Sequence, residues 1–363
     1  MNILYLITGL GGGGAEKVVV DLATRMADLG HQVKIAYLKS EVVVKPDSDR
    51  IELVYLGLET LFQSKLAYKN YKNLLDRFEP DVVHAHMVHA NIFARITRKF
   101  RPVQKLICTA HSNNEGGKAR MLAYRLTHKL SEVTTNVSHS ASASFEQLGA
   151  VPKKGITTVY NGIDLNKFRY DPAARERLFK ELDLDTDDIL ILAVGRFHAA
   201  KDYPNLLHAF AKIKQKQAGN AKLMIAGDGE ERQSIEGLIS SLHLKHDVYL
   251  LGRRNDIPDL MSAADLFVLS SSFEGFGLVI AEAMASNTFV VATDCGGSSE
   301  IMGDTGILVP PQNSKALAEA LNIAIEKKPN EIAENNFKAR QRVEKLFSLE
   351  KSVQKWLELY TND

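Results

Sequence analysis

The sequence predicts an α/β fold of two doubly wound parallel-sheet domains in tandem, with a cleft between the carboxyl ends of their sheets. Three observations lead there. At 363 residues the chain exceeds what one hydrophobic core serves at ~150 residues per domain. Short β-branched apolar runs alternate with segments of helical period from end to end, the pattern of βαβ units. The alternation breaks once, at 157–172 (TTVYNGIDLNKFRYDP), and resumes after the acidic turn at 183–188. The break divides the chain into a first domain, 1–160, and a second, 161–345. A last helix, about 346–363, carries Val353, Trp356, Leu357 and Tyr360 on one face and is expected to return to the first domain to bury them.

In the first domain the expected strands are Asn2 to Thr8, Gln32 to Leu38, Ile51 to Leu56, Asp81 to Ala85, Lys105 to Ala110 and Val133 to Val137. Helices fit between them: Ala15 to Leu29 closes at Gly30, and Leu61 to Phe78 stops before Pro80. The second domain repeats the logic with Ile189 to Val194, Leu223 to Ala226, Val248 to Leu251, Leu266 to Leu269, Phe289 to Ala292 and Ile307 to Val309. Ligands of such sheets bind outside the carboxyl ends of the strands, which directs attention to the loops that follow them.

Composition narrows the class. With 45% apolar and 25% charged residues the chain is neither disordered nor collagen-like, and no run approaches the roughly 18 apolar residues of a spanning helix. Its first seven residues lack a basic region and run into Gly9 and Gly11 to Gly14, so they read as a buried strand and not as a secretory leader. Cys108 and Cys295 lie far apart with no CxxC partner, which offers neither a disulfide framework nor a zinc site. A reducing, cytoplasmic setting is the expectation. Residues 1–150 hold 19 Lys+Arg against 14 Asp+Glu, leaving +5 there and −4 in the remainder of a chain whose total is +1. That asymmetry favours an anionic partner for the first half.

Several loops carry residues suited to chemistry. Gly9-Leu10-Gly11-Gly12-Gly13-Gly14 satisfies GxGxxG between a strand and a helix, and its bare N–H groups suit a negative ligand. A dinucleotide site also needs an acidic residue at the end of the second strand, where this chain has Leu38-Lys39-Ser40. Gly195-Arg196-Phe197-His198-Ala199-Ala200-Lys201 starts where the second domain's first strand ends, and its two cations suit a diphosphate. Ser270-Ser271-Ser272-Phe273-Glu274-Gly275-Phe276-Gly277 leads into a helix, with Glu282 eight residues after Glu274. Two carboxylates beside an anion-binding helix terminus make sense if they hold hydroxyls, as sugars and riboses present them.

Taken together, the Gly-rich loop, GRFHAAKD, AGDGEER, Leu251-Gly252 and EGFGLVIAEAMA resemble the retaining glycosyltransferases of family 4 over nearly the whole chain. The resemblance implies a GT-B fold, with two Rossmann-like domains, and transfer of a sugar from a nucleotide donor, expected to be UDP-linked, with retention of configuration. It implies that Arg196 and Lys201 grip the donor diphosphate and that Glu274 holds hydroxyls of the transferred sugar. Glu282 would hold the ribose, and the backbone of Phe276, Gly277, Leu278 and Val279 the sugar and phosphate. Gly195 and Leu251 would line the donor site, and Gly12, Gly13 and Gly14 a donor or acceptor phosphate. His111, in Thr109-Ala110-His111-Ser112, matches the family's active-site histidine. Neither a metal nor a cofactor beyond the nucleotide sugar is implied, and no nucleic acid. The acceptor would be a saccharide or lipid-linked saccharide, as in lipopolysaccharide, O-antigen or capsule-type synthesis.

Two rivals stay open at this point: a nucleotide-sugar epimerase or NAD(P) oxidoreductase on related architecture, and a non-catalytic nucleotide-sugar-binding module. Other features carry less. Residues 183–187 resemble a calcium loop without its glycine and glutamate. His84, His86 and His89 have metal-like spacing but no cluster of Cys or carboxylate around them, and Asn136-Val137-Ser138 is a sequon by chance. Between Lys65 and Lys129 stand 13 basic and four acidic residues. Lys65, Lys69 and Lys72 share one helical face near Leu61, Phe62, Leu66 and Tyr68, which suits an anionic membrane surface and a peripheral location on the cytoplasmic membrane.

Overall fold

A computed structural model describes residues 1–216 and 220–362. The chain forms two compact units, Met1–Gly162 with Leu349–Asp363, and Ile163–Ser348. Among the described residues the first unit holds seven strands: β1 (Asn2–Ile7), β2 (Gln32–Tyr37), β3 (Glu52–Tyr55), β4 (Val82–His86), β5 (Lys105–Ala110), β6 (Val133–Asn136) and β7 (Thr157–Thr158). The second holds β8 (Ile189–Val194), β9 (Ala221–Ala226), β10 (Val248–Gly252), β11 (Leu266–Leu269), β12 (Phe289–Thr293) and β13 (Ile307–Val309). The strand orders are β3-β2-β1-β4-β5-β6-β7 and β10-β9-β8-β11-β12-β13, and every neighbouring pair is parallel. Both units are therefore doubly wound. The order reverses between β1 and β4 and between β8 and β11, and at such switch points the flanking loops diverge and leave room for a ligand.

The strands read as continuous apolar runs because both faces of each sheet are covered. In β1, Ile3, Tyr5 and Ile7 enter one core with the helices Gly14–Asp28 and Leu349–Thr361. Leu4 and Leu6 enter the opposite core with Ser64–Phe78 and Val88–Thr97. The period of two is thus present inside an unbroken hydrophobic stretch.

All twelve strands expected from the sequence are present, with ends within two residues. β7 lies in the stretch read as the start of a linker, because two polar threonines give no apolar signal; it pairs with β6 at Thr135 and Asn136. The chain changes units one residue past Gly162, where a Cβ would lie 2.6 Å from Leu349 Cα. The outgoing and returning passages are in backbone contact there, and only glycine fits. The segment read as one helix from Leu61 opens as a 3-10 turn, Leu61–Gln63, before Ser64–Phe78. Gln63 Oε1 accepts from the N–H groups of Glu59 and Thr60 at 3.0 and 2.9 Å and so fixes that entry.

The final helix docks on the first unit through Val353, Trp356 and Tyr360. The Tyr360 hydroxyl bonds those of Tyr5 (3.1 Å) and the Nδ1 atom of His84 (2.7 Å), while the Trp356 ring lies 4.4 Å from that of His84. His84 and His86 are fully buried in β4, and burial holds both well below the ordinary histidine pKa. Folding therefore keeps them neutral, whereas the unfolded chain takes up protons below about pH 6.5. Since the unfolded state binds more protons there, stability is full above that pH and falls as pH drops below it. Each such group costs ~1.4 kcal/mol per pH unit below the unfolded value. We expect denaturant midpoints followed by the fluorescence of Trp356, the sole tryptophan, to hold steady from pH 8 to 7 and fall steadily from about 6.5 to 5. A flat midpoint across the lower window would contradict the neutral assignment.

Candidate active site

In the second unit the loop after β8 is shaped by its neighbour after β9. A Cβ at Gly227 (φ +153) would lie 1.9 Å from the carbonyl oxygen of Gly195, and one at Gly229 would lie 2.5 Å from that of Phe197. The glycines of AGDGEER thus let one backbone press on the other. Tyr203 closes the turn by donating its hydroxyl to Gly195 O at 2.9 Å. The loop then winds into a 3-10 turn, Ala199–Lys201, that delivers the Lys201 side chain.

Lys201 meets Glu274, which follows β11. Its Nζ donates to Glu274 Oε1 at 2.6 Å, and Ser271 Oγ donates to the same oxygen at 2.7 Å. The pair is largely sheltered, with the side chains 22% and 13% exposed, so its attraction is less screened than at an open surface. Two further bonds latch the loops: Ser270 Oγ donates to Lys201 O at 2.8 Å and the Ser272 N–H to Ala200 O at 2.9 Å. Glu274 Oε2 has no partner among the described residues and stays available to a hydroxyl. Behind Glu274 stands Gly296 (φ +58), where a Cβ would lie 2.0 Å from the Glu274 carbonyl oxygen. Ser271 and Gly296 went unassigned from the sequence; the Ser270-Ser271-Ser272 run and Gly296-Gly297 were their only signals.

Gly277 (φ +99) starts the helix Leu278–Ala285, and the N–H groups of Leu278 and Val279 are unpaired among the described residues. Phe276 is buried against Phe347 at 5.7 Å between rings. Glu282 sits in the second turn, 4% exposed. Leu251 occupies the point where the β9–β10 register shifts, and it is half-buried there. Arg196 departs from the expected arrangement: it is 67% exposed and turned onto Glu230, with contacts of 3.2 and 3.1 Å from Nε and Nη2. The structure brings Lys201 and Glu274 together and leaves Arg196 outside that knot.

In the first unit the Gly-rich loop joins β1 to Gly14–Asp28 and pairs with 41–44 through Leu10. Gly12 has φ +91, and Gly12, Gly13 and Gly14 are exposed. Two carboxylates border the loop: a Cβ at Gly13 would lie 2.6 Å from Glu16 Oε2, and one at Gly11 would lie 3.2 Å from Glu41 Oε2. Such a rim suits hydroxyl groups better than a bare phosphate.

His111 follows β5 and is half-buried. Its N–H donates to Glu115 Oε1 at 2.7 Å, and its ring Nε2 lies 3.0 Å from His86 Nδ1. Burial pushes its pKa down to about 4, so the ring is neutral at pH 7. Burial also pushes the Glu115 carboxyl up. His84, His86 and His89 do not converge: the first bonds Tyr360 and Thr109, the second faces His111, and His89 is exposed. Among the described residues no group of three or more His, Cys, Asp or Glu side chains is placed to hold a metal ion.

Residues 174–343 match the family described as "Glycosyl transferases group 1", and residues 12–167 match "Glycosyltransferase Family 4". The N-acetyl-alpha-D-glucosaminyl L-malate synthase of Bacillus anthracis is 28% identical, covering 96% of this chain and 93% of that protein. The N-acetylgalactosamine-N,N'-diacetylbacillosaminyl-diphospho-undecaprenol 4-alpha-N-acetylgalactosaminyltransferase of Campylobacter jejuni is also 28% identical, covering 88% and 89%. The fold is shared with Anabaena HepE, solved in complex with UDP and glucose, at a TM-score of 0.87 and 22% identity over the whole of both chains. Two doubly wound units, matches along both, and full-length likeness to sugar-transferring enzymes lead to one conclusion: the chain belongs to the family 4-type glycosyltransferases of GT-B fold.

Proposed function

We propose that this glycosyltransferase moves a sugar from a UDP-linked donor, with retention, onto a hydroxyl of a lipid-linked saccharide in surface-polysaccharide synthesis of the lipopolysaccharide, O-antigen or capsule type. The observation that carries the donor half is the Lys201–Glu274–Ser271 knot beside the start of Leu278–Ala285. The bond from the anomeric carbon to the donor phosphate breaks while that carbon bonds the acceptor oxygen, and the acceptor's proton passes to the departing phosphate. Negative charge grows on the diphosphate during this step. Lys201 keeps two N–H donors beyond the one given to Glu274, and the Leu278 and Val279 N–H groups add a helix N-terminus, all positioned before reaction. Arg196 joins them once it leaves the solvent-exposed pairing with Glu230, which costs little to break.

Glu274 uses its open Oε2 for hydroxyls of the transferred sugar, and Glu282 takes the ribose. Gly195 and Leu251 line the donor site, Gly12 to Gly14 offer backbone N–H groups, and His111 acts near the sugar. The UDP preference draws on the ligand of the Anabaena neighbour, and the lipid-linked acceptor on the Campylobacter relative.

Incubation with UDP-sugars should release UDP, at a rate raised by polyprenyl-diphosphate saccharides. With Lys201 and a helix N-terminus to meet the diphosphate, release should persist in excess EDTA; its loss to the chelator and recovery on adding Mg²⁺ or Mn²⁺ would reverse that assignment. Lys201→Ala and Glu274→Ala should each lower turnover at least ~100-fold while circular dichroism shows the fold intact. Binding of UDP-sugar without any turnover would favour the binding-module reading.

No described helix is long and apolar enough to cross a membrane. The first unit instead offers a peripheral face: Leu61 is 87% and Phe62 100% exposed, and Leu66, Lys65 and Lys69 are exposed beside them. Tyr68 meets Phe100 edge-on at 6.0 Å and extends the apolar strip, whereas Lys72 is tied to Asp76 at 2.5 Å. We expect sedimentation with anionic vesicles at low salt, weakened by salt and by a Phe62→Ser, Lys65→Glu, Lys69→Glu variant. Equal and negligible sedimentation with neutral and anionic vesicles would point to a soluble acceptor.

A further inference from the structure

Four rings of the first unit form a column. Trp356 lies 4.4 Å from His84, His84 lies 4.0 Å from His86, and His86 lies 5.3 Å from His111, measured between ring centroids. Both nitrogens of His84 are engaged, Nδ1 with the Tyr360 hydroxyl and Nε2 with Thr109 Oγ1, each at 2.7 Å. Thr109 continues to Thr135 at 2.7 Å. His84 is thereby pinned, and the ring stacked on it is His86.

His86 differs from His84 in one respect. Its Nδ1 contacts His111 Nε2 at 3.0 Å, but its Nε2 is buried with no hydrogen-bond partner. A contact between two imidazole nitrogens needs one proton, and the two ways of placing it are not equivalent. If His111 donated from Nε2, a neutral His86 would carry its own proton on Nε2, leaving a buried N–H without an acceptor. Orphaned buried N–H groups are the rarer and costlier defect, and the loss is of the order of 1–3 kcal/mol. If His86 donates from Nδ1, only a lone pair is left bare at its Nε2. His111 then accepts at Nε2 and, being neutral, carries its own proton on Nδ1. That atom has no protein partner among the described residues.

We infer that His86 is a positioning residue that holds His111 as the Nδ1–H tautomer, so that His111 offers a hydrogen-bond donor, not a base, to an oxygen of the sugar substrate. The inference rests on the reading of His111 as a site residue given above, but its first half concerns the free protein alone. The substrate group selected is a hydroxyl or ether oxygen with a lone pair to give. Removal of the acceptor's proton by His111 is excluded in this tautomer, because its only bare nitrogen is occupied by His86. The C-terminal helix takes part at a distance: Trp356 and Tyr360 fix His84, and His84 fixes the plane of His86.

Long-range proton–nitrogen correlation on ¹⁵N-histidine-labelled full-length protein reads the tautomers directly, with signals assigned through His111→Leu and His86→Leu variants. We expect protonated Nδ1 and bare Nε2 at both His111 and His86. A protonated Nε2 at His111 in the unaltered protein would overturn the inference without any variant having to fold. His86→Leu should release His111 towards the Nε2–H form and lower turnover at least ~10-fold, whereas His86→Asn, whose amide can donate from nearly the same place, should retain the tautomer and most of the turnover. An unchanged His111 tautomer in His86→Leu would also overturn the inference, as would a switched tautomer with undiminished turnover while His111→Leu is inactive. Full turnover in His111→Leu would instead remove His111 from the site and leave the tautomer assignment standing.

Discussion

In the second unit the backbone at Gly227 presses on the carbonyl of Gly195, where a side chain would intrude to 1.9 Å. Much of the site depends on it. With the two loops pressed together, Tyr203 reaches back to Gly195 and the 3-10 turn that follows puts Lys201 within 2.6 Å of Glu274. The same device recurs on the far side, where Gly296 receives the carbonyl of Glu274. A cation and a carboxylate from loops 73 residues apart are thus held by glycines that leave room for other backbones, an arrangement in which geometry is set before any ligand arrives. The latch bonds from Ser270 and Ser272 add to that rigidity, and none of them uses a group the ligand would need.

The first unit solves a different problem. It buries imidazoles, which are tolerated in a core only when neutral and bonded. The returning helix supplies part of the answer: Tyr360 satisfies His84, and Trp356 covers it. A helix that leaves the second unit at Ser348 to cover the first is therefore more than a clasp, since the column it backs ends at His111. The cost of the arrangement is acid sensitivity, because neutrality must be kept inside while the unfolded chain is free to protonate.

The parts of this molecule that could be read from the sequence are those governed by local chemistry. Strands rich in Val, Ile and Leu between helical segments announce themselves, and β7, with only Thr157 and Thr158, does not. The Gly-rich and EGFG loops were legible because glycines and a helix start are local features. Pairings across the sheet were not: nothing in GRFHAAKD says that Lys201 turns to Glu274 while Arg196 turns to Glu230. His84 and His86 were visible as a possible metal spacing, yet their role follows from β4 and β5 lying side by side, with His86 in register with Thr109, two residues before His111. The carboxylates beside the Gly-rich loop were likewise hidden, since Glu41 comes from beyond β2.

Those carboxylates change the meaning of the uneven charge. The first half of the chain carries the net positive charge, which by itself suggests an anionic ligand at its loops. In the structure the Gly-rich loop is bordered by Glu16 and Glu41, and His111 is neutral. Exposed cations of this half, Lys65 and Lys69, stand instead on the helix Ser64–Phe78 beside exposed Leu61 and Phe62. The excess charge therefore belongs to an outer face and not to the carboxyl edge of the sheet. The second unit is net negative, yet its carboxyl edge carries the Lys201 cation, paired with Glu274, and the N–H groups at the start of Leu278–Ala285. Net charge thus does not describe the loops at the carboxyl edge in either half, and over a few ångströms the local arrangement outweighs the total because distant exposed charges are screened.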